Sequence, residues 1–458
     1  MNHDETVSLL DTQLRRPLGS LLAVLVLFFS CDVGVVFAAA GDLDSSFDGD
    51  GIGILSQVGD NRGQAVAIQP TDGKIVIAGY TNTFGSNDVM VLRLNDNGSL
   101  DGTFNGGQAR IVSRFGDDRG LAVALQSDGK IVVAGYTNLF GTNDILVMRF
   151  NADGSLDTTF NFSNLGGRPS GGVKIVDRGG DDRAKAIAIQ SDGKIVVAGT
   201  STVFGSDNVL VLRFNANGSL DTTFNNGGSQ IIKRTSDDRA CAVALQRDGK
   251  IVVAGYTNAL GSNDIQVLRF NTNGGLDTTF NTSNVGGRVT GGIQVVSQFG
   301  DDRGQAIALQ SDGKVVIAGW TDRFGDKDIQ VVRLNSNGSL DLTFNPSNTQ
   351  AGLVGGSVVV RQSRSNDQGQ AVALQTDGKV VVGGYTDRFG LNDFLVMRFN
   401  SNGVLDTTFD GDGIRIVDSF GNNQANALAL QADKKIVVVG HTDTSDVNDI
   451  EVMRFLGQ

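Results

Sequence analysis

Every tyrosine in this 458-residue chain, its single tryptophan and one of its two histidines occupy the same place in a recurring phrase. That place reads Tyr80, Tyr136, Thr200, Tyr256, Trp320, Tyr385 and His441. An amphipathic ring offers an apolar face for stacking and a polar tip for hydrogen bonding, so a collar of rings suits sugars or other flat ligands. The same residues would serve equally as wedges between structural units, each hydroxyl satisfied by a neighbouring loop.

A second series runs beside the first: Arg62, Arg119, Arg183, Arg239 and Arg303, completed by Gln368 and Gln424. Asp118, Asp182, Asp238, Asp302 and Asp367 stand just before it. Such a series could line an opening as a charged ring that selects an ion or an acidic ligand. The structural alternative has each aspartate capping its own turn and each arginine bracing a neighbouring unit. If a ligand is bound, the residues expected to hold it are Tyr80, Tyr136, Tyr256, Trp320, Tyr385 and His441, with Arg119 and Arg303.

Metal and catalytic chemistry are less well supplied. The stretch NADGSLD (151–157) sets out alternating side-chain oxygens, a loose echo of a calcium loop, but lacks the bidentate glutamate and the full ligand set. An Asx turn uses the same residues without a metal, so no cofactor is expected and calcium stands as the alternative. Beyond residue 40 there is one histidine, His441, and one cysteine, Cys241, too few for a histidine-rich metal centre. No GxSxG elbow occurs, and no carboxylate pair stands out for acid–base work. A catalytic group in a repeat protein should break the repeat. Trp320, His441 and the loop TDRFGDKD (321–328), with Asp326 and Asp328, do so most, so any pocket is expected off-centre between the fifth and seventh units.

The elements that must position these residues are repeats. The lysine of QSDGKIVVAG falls at Lys74, Lys130, Lys194, Lys250, Lys314, Lys379 and Lys435, in steps of 56, 64, 56, 64, 65 and 56 residues. The longer steps come from inserts such as NFSNLGGRPSGG (161–172) and NTSNVGGRVTGG (281–292). Each of the seven units holds four strand-like runs, in the first unit 64–69, 74–81, 88–95 and 108–115. Asp72-Gly73 marks a tight hairpin between the first two, and NDNGS (95–99) closes the third. Runs such as VMVL and IVIAG are apolar on both faces, which requires sheets covered on both sides. Helical periodicity is absent. Seven small four-stranded sheets packed face to face predict an all-β, seven-bladed propeller. A β-solenoid is the alternative.

One irregularity decides between them. The phrase LDxxF follows the third run in six units, but the seventh copy, LDSSF (43–47), stands near the N-terminus, ahead of GIGILSQ (51–57). A split unit is useless to a solenoid. In a propeller it makes 51–57 the outer strand of the last blade, paired with 449–455, so the ring closes without open edges. Arg93, Arg149, Arg213, Arg269, Arg333, Arg398 and Arg454 recur in the third runs. A charge inside a sheet covered on both faces must be paired, so these predict a structural ion-pair network.

The first 40 residues differ in kind. Arg15 and Arg16 precede the apolar run LGSLLAVLVLFFSC, and Ala38, Ala39 and Ala40 precede Gly41, the order of a cleaved signal peptide. A retained anchor and a lipidated Cys31 are the alternatives. The chain carries 38 basic and 50 acidic residues, and removing 1–40 leaves a net charge of about −10. That charge repels phosphate backbones and anionic lipid, so neither nucleic acid nor membrane insertion after cleavage is expected.

The repeated words LDxxF, GDDRGQAVALQSDGKIVVAGYT and VxRFNxNGxLD, over residues 41–458, resemble the delta-60 repeat family. Those are bacterial, mostly exported, propeller-forming repeats of unknown function. The resemblance implies a propeller and brings no catalytic residues. The last unit departs most, with QADKK for QSDGK, NNQ for DDR and a histidine at the aromatic place. The expectation is an exported monomeric binding or cell-envelope interaction module, periplasmic or extracellular, with a glycan or an envelope protein as partner. The alternatives are a propeller lyase or glycan-active hydrolase working in the central depression, and a scaffold without ligand.

Overall fold

The computed structural model describes residues 38–458, except 114–115, 162–170, 204, 283–290, 299, 347–354, 363, 420 and 444–446. Residues 1–37 of the expected signal peptide and most of each insert named above therefore lie outside the described residues. The described chain forms seven four-stranded antiparallel sheets and no α-helix. It is a seven-bladed propeller. Blade 1 runs through Asn61–Ile68, Ile75–Thr81, Asp88–Leu94 and Arg110–Val112, from the inner strand on the central tunnel to the outer strand. Blades 2 to 6 repeat that order. In blade 7 the strands Gln424–Leu430, Ile436–Thr442 and Asp449–Phe455 are completed by Ile52–Leu55 from the other end of the chain.

Burial explains the uniform composition of the middle strands. Every second strand is buried almost throughout and every third strand throughout, because each is covered on both faces by neighbouring blades. Valine, isoleucine and leucine fill those positions, as a pleated, doubly covered surface prefers. Adjacent blades share their clusters: Val76, Val89 and Val91 of blade 1 pack with Ile131, Val133, Leu146 and Met148 of blade 2.

The seam copies the other six blade junctions. Ile52 pairs with Met453 and Leu55 with Ile450, and Leu43 bridges Phe455. Arg454 donates through Nε to Asp44 (2.7 Å), and its Nη1 donates to the Asp96 carbonyl of blade 1. Arg398 in blade 6 reaches the carbonyl of Gly457 (2.6 Å), where other blades offer a turn residue such as Ala152. Asp410 donates its N–H to the Ala40 carbonyl at 2.8 Å, a place that Asn97 or Asn217 fills elsewhere. Both chain ends thus stand in for the turn that blade 7 lacks.

All seven third-strand arginines are paired as expected, but with the LDxxF aspartates rather than with strand-start residues such as Asp88. Arg93 is typical. Its Nε donates to Asp101 (2.6 Å), Nη1 to the Ala152 carbonyl of the next blade and Nη2 to Thr103, while its face lies 5.1 Å from the Phe104 ring centroid. In the last unit, Lys434 takes the left-handed φ of 72° that glycine adopts in the equivalent turns.

Candidate functional site

The loops from second to third strands and those entering each inner strand share one face around the tunnel mouth. What shapes that face begins with a bulge. Every inner strand slips register by one residue, in blade 5 between Gly304 and Ala306, and the extra residue is re-aimed. Glycine is required opposite it, because a Cβ on Gly319 would meet the Arg303 carbonyl at 1.8 Å. This requirement explains the glycine in each AG(Y/W)T phrase. The extra residues Leu121, Lys185, Cys241, Gln305, Gln370 and Asn426 line the tunnel constriction, a cavity of about 210 Å³. They range from leucine and cysteine through amides to lysine. Nothing in the sequence aims them at the tunnel, although the second residue after each member of the arginine and glutamine series is the most variable place in the phrase.

Above this constriction the two expected series meet. Register places Arg119 opposite Tyr136 and Arg303 opposite Trp320. The guanidinium of Arg119 lies 4.8 Å from the Tyr80 ring of the preceding blade and 5.8 Å from its own Tyr136. Arg303 lies between Tyr256 (4.8 Å) and Trp320 (4.9 Å), and Lys327 covers Trp320 at 4.7 Å. Ring and cation therefore alternate from blade 1 to blade 2 and from blade 4 to blade 5. Trp320 and His441, singled out as repeat-breakers, are 5% and 4% exposed, so they support the collar from beneath rather than line a cleft. The arginines are different: the side chains of Arg62, Arg119, Arg183, Arg239 and Arg303 keep 30–48% of their surface open. A stacked guanidinium spends its faces on the rings and leaves in-plane N–H donors for a ligand.

Where glutamine replaces arginine, the ring turns to the tunnel. The Tyr385 hydroxyl is paired with Gln370, and His441 Nδ1 lies 3.3 Å from Asn426 Nδ2. Burial, with the Arg62 charge second, pushes the imidazole down to about 4, so His441 is neutral across the physiological range.

Exposed apolar side chains stand at the loop tips of four blades on the same face. Phe84, Phe140, Leu260 and Phe389, at the tips of the second-to-third loops, stand 58–66% exposed. The sequence reading passed over them because a loop phenylalanine has no chemical signature of its own. Just below, buried aspartates mark the blade junctions. The N–H of Asp302 donates to the Asn263 carbonyl of blade 4 at 2.7 Å, and each junction repeats that bond. Burial pushes Asp302 up to about 6, and burial with repulsion from Asp177 and Asp182 does the same to Asp144. Asp328 is one of these regular junction residues, whereas Asp326 is exposed.

The remaining expectations fall on the opposite face. In NADGSLD the oxygens considered for calcium are engaged: Asp153 Oδ1 accepts from Ser155, and Asp157 accepts from Thr159 and Arg149. Among the described residues no group of three or more His, Cys, Asp or Glu side chains is placed to hold a metal ion. That face also carries a depression of about 700 Å³, bordered by the turns at Gln69, Gln126 and Gln190. It is a groove between hairpin turns without converging charges.

A family model described as "Domain of unknown function (DUF5122) beta-propeller" matches residues 71–104, 126–160, 190–224, 246–280, 310–344, 375–409 and 431–457, just over half of the chain. No curated protein matches by sequence. Among solved structures, the polysaccharide lyase Uly1 is similar at 10% identity and a TM-score of 0.49, covering 86% of this chain and 90% of that one. Sqt1 from Chaetomium thermophilum shares 13% identity with a TM-score of 0.43, covering 88% and 98%. YCF48 bound to D1 peptide shares 10% identity with a TM-score of 0.45, covering 92% and 98%.

Proposed function

For a chain that belongs to the DUF5122 β-propeller family, we propose a non-catalytic binding module that docks its collar face on an acidic glycan or an acidic segment of an envelope protein. The observation that carries this reading is the coincidence of exposed apolar tips in four blades and exposed arginines in five on one face. Exposed apolar tips at Phe84, Phe140, Leu260 and Phe389 surround arginines whose donors remain open. Exposed aromatic and aliphatic side chains beside exposed arginine are a composition of recognition surfaces. Stacking over the rings holds the guanidinium groups in place before a ligand arrives, which lowers the ordering cost of binding.

The repeats are proposed to be of the delta-60 type and the protein to be exported as a monomer, residues 1–40 serving as its signal peptide. No helix among the described residues is long and apolar enough to cross a membrane. The experiment uses Trp320, the one tryptophan, as an internal reporter, since Arg303 and Lys327 stack on it. Acidic and neutral oligosaccharides and peptides are titrated against the parent while Trp320 emission is followed. The variant R119Q/R303Q copies what Gln368 and Gln424 already do. An acidic ligand should shift the emission and bind at least tenfold more weakly to the variant. Equal affinity in both proteins would refute the collar as a docking face.

A further inference from the structure

Three departures from the repeat coincide in one sector of the collar. Blade 3 alone has no ring at the aromatic place, and its Thr200 is half-buried where neighbours carry Tyr136 and Tyr256. The row of stacked rings is interrupted there. Arg183 stacks on Tyr136 at 5.3 Å, and Arg239 stacks on Tyr256 at 5.9 Å while donating to the Tyr256 hydroxyl (3.2 Å) and to Asp207 (2.5 Å). These are also the two most exposed collar arginines, at 47% and 48%. Thr200 lies between them, and the ring it lacks leaves a notch.

Beneath the notch the bulge of blade 3 presents Lys185, the only cation among the six bulge residues that line the constriction. The side chain of Lys185 is exposed into the tunnel. It makes no hydrogen bond or ion pair among the described residues. The carboxylates in this sector are engaged by arginines, Asp117 and Asp181 by those of their own loops and Asp207 by Arg239 of the next blade. Desolvation, and after it the charges of Arg183, Arg119 and Arg239, hold the ammonium below the usual lysine range, opposed by Cys241 on the neighbouring bulge. Four cations thus stand in this sector of the collar and tunnel, and no acid engages Lys185 among the described residues.

We propose that this notch is an oxyanion subsite, in which Lys185 and the free donors of Arg183 and Arg239 take one phosphate, sulfate or carboxylate group. This deepens the docking reading above, since it names the group on the ligand and the sector that receives it. A charge-assisted fork of arginine donors with a lysine below matches a three-oxygen group. It also moves the asymmetric pocket from blades 5 to 7, where the sequence placed it, to blades 2 to 4. Trp320 and His441 are buried supports, whereas the absent ring at Thr200 opens space.

The test is calorimetric titration of the intact protein at low ionic strength with inorganic phosphate, with sulfate and with a uronic-acid oligosaccharide. Three variants accompany the parent: K185M removes the charge at constant bulk, T200Y restores the consensus ring into the notch, and Q305M alters the tunnel wall two blades away. One site per chain is expected, weakened at least tenfold by K185M, abolished by T200Y and untouched by Q305M. Binding of the inorganic ions shows that a free oxyanion suffices; binding of the oligosaccharide alone, with the same variant pattern, shows that the group must be carried on a saccharide. Should T200Y fail to fold, K185M decides. Parent-like affinity in K185M overturns the subsite. If R119Q/R303Q then weakens binding while K185M does not, the docking face stands and only the notch falls. If no probe binds the parent, both fall.

Discussion

The two faces of the propeller use the same pair of residue types to opposite ends. On the base, seven arginines stack on the phenylalanines of LDxxF, and their side chains are only 1–8% exposed. Aspartate, threonine and a carbonyl of the next blade consume their donors. On the collar, arginines stack on tyrosine or tryptophan with one loop carboxylate each and stay substantially open. A buried, fully partnered arginine holds one blade to the next. An arginine stacked but unspent is available to something else. The aromatic partner alone does not distinguish the two roles; the number of donors already taken does.

The aspartates divide in the same way. Burial works to raise all of them. On the base, hydrogen bonds from threonine and lysine and the nearby arginine outweigh it, holding Asp221 and Asp341 near about 2. At the collar junctions the partners are few, and burial wins: Asp144, Asp302, Asp328 and Asp393 are pushed up to about 6, and Glu451 to about 7.

The largest effect expected is at the seam. Deleting residues 41–58 removes the outer strand of blade 7 together with Asp44 and Phe47, leaving Arg454 buried without its carboxylate. A loss of at least about 5 kcal/mol in chemical denaturation, with aggregation on a sizing column, should follow. A deletion variant that denatures like the parent would show that the ends do not close the ring.

The two sets of aspartates give opposite pH dependences. Carboxyls raised to about 6 when folded contribute stability that is fully present below an unfolded pKa of about 4 and lost as pH rises through 6. Those depressed to about 2 contribute stability above pH 4 that is lost as pH falls toward 2. Melting scans should therefore show stability rising from pH 8 to about pH 5 and falling only below 4. A flat profile between 5 and 8 would remove the contrast between the faces. D302N isolates one site. Asn61 and Asn423 already occupy that position in blades 1 and 7, so the amide fits. It should add about 1–2 kcal/mol at pH 8, about half of that at pH 5 and nothing below pH 4. The smallest effect belongs to His441, buried and neutral. H441A should cost about 1 kcal/mol through lost packing and leave ligand affinity within twofold; a tenfold change in affinity would assign the ring a direct role.

Much of this was legible in the chain because repetition amplifies weak signals. A lone IVVAG is ambiguous, but seven copies with DGK before them and LDxxF after fix the strand order, and the displaced LDSSF identifies the seam. The base ion pairs were legible as a necessity, though their partners were not: Asp88 and Asp101 both stand near Arg93 in sequence, and only the fold brings Asp101 to it. The collar was legible as a list of residues but not as a surface, because exposure depends on which side of a strand faces the tunnel. The bulge residues were lost for a related reason. A one-residue slip turns Lys185 and Cys241 into the tunnel, and strict alternation gives no warning of it.

The account rests on a division of labour between two rings, and blade 5 offers a matched pair within one sheet: Arg303 on the collar and Arg333 on the base. The most direct measurement records, for R303Q and R333Q, both the stability and the affinity for an acidic oligosaccharide that binds the parent. The account predicts that R333Q loses about 3–5 kcal/mol of stability, having left Asp341 buried beside Lys314 alone, while its remaining folded fraction binds as the parent does. R303Q should melt within a few degrees of the parent and bind at least tenfold more weakly. Equal losses of stability in the two variants, with the affinity of R303Q unchanged, would contradict the account and make the collar a second brace.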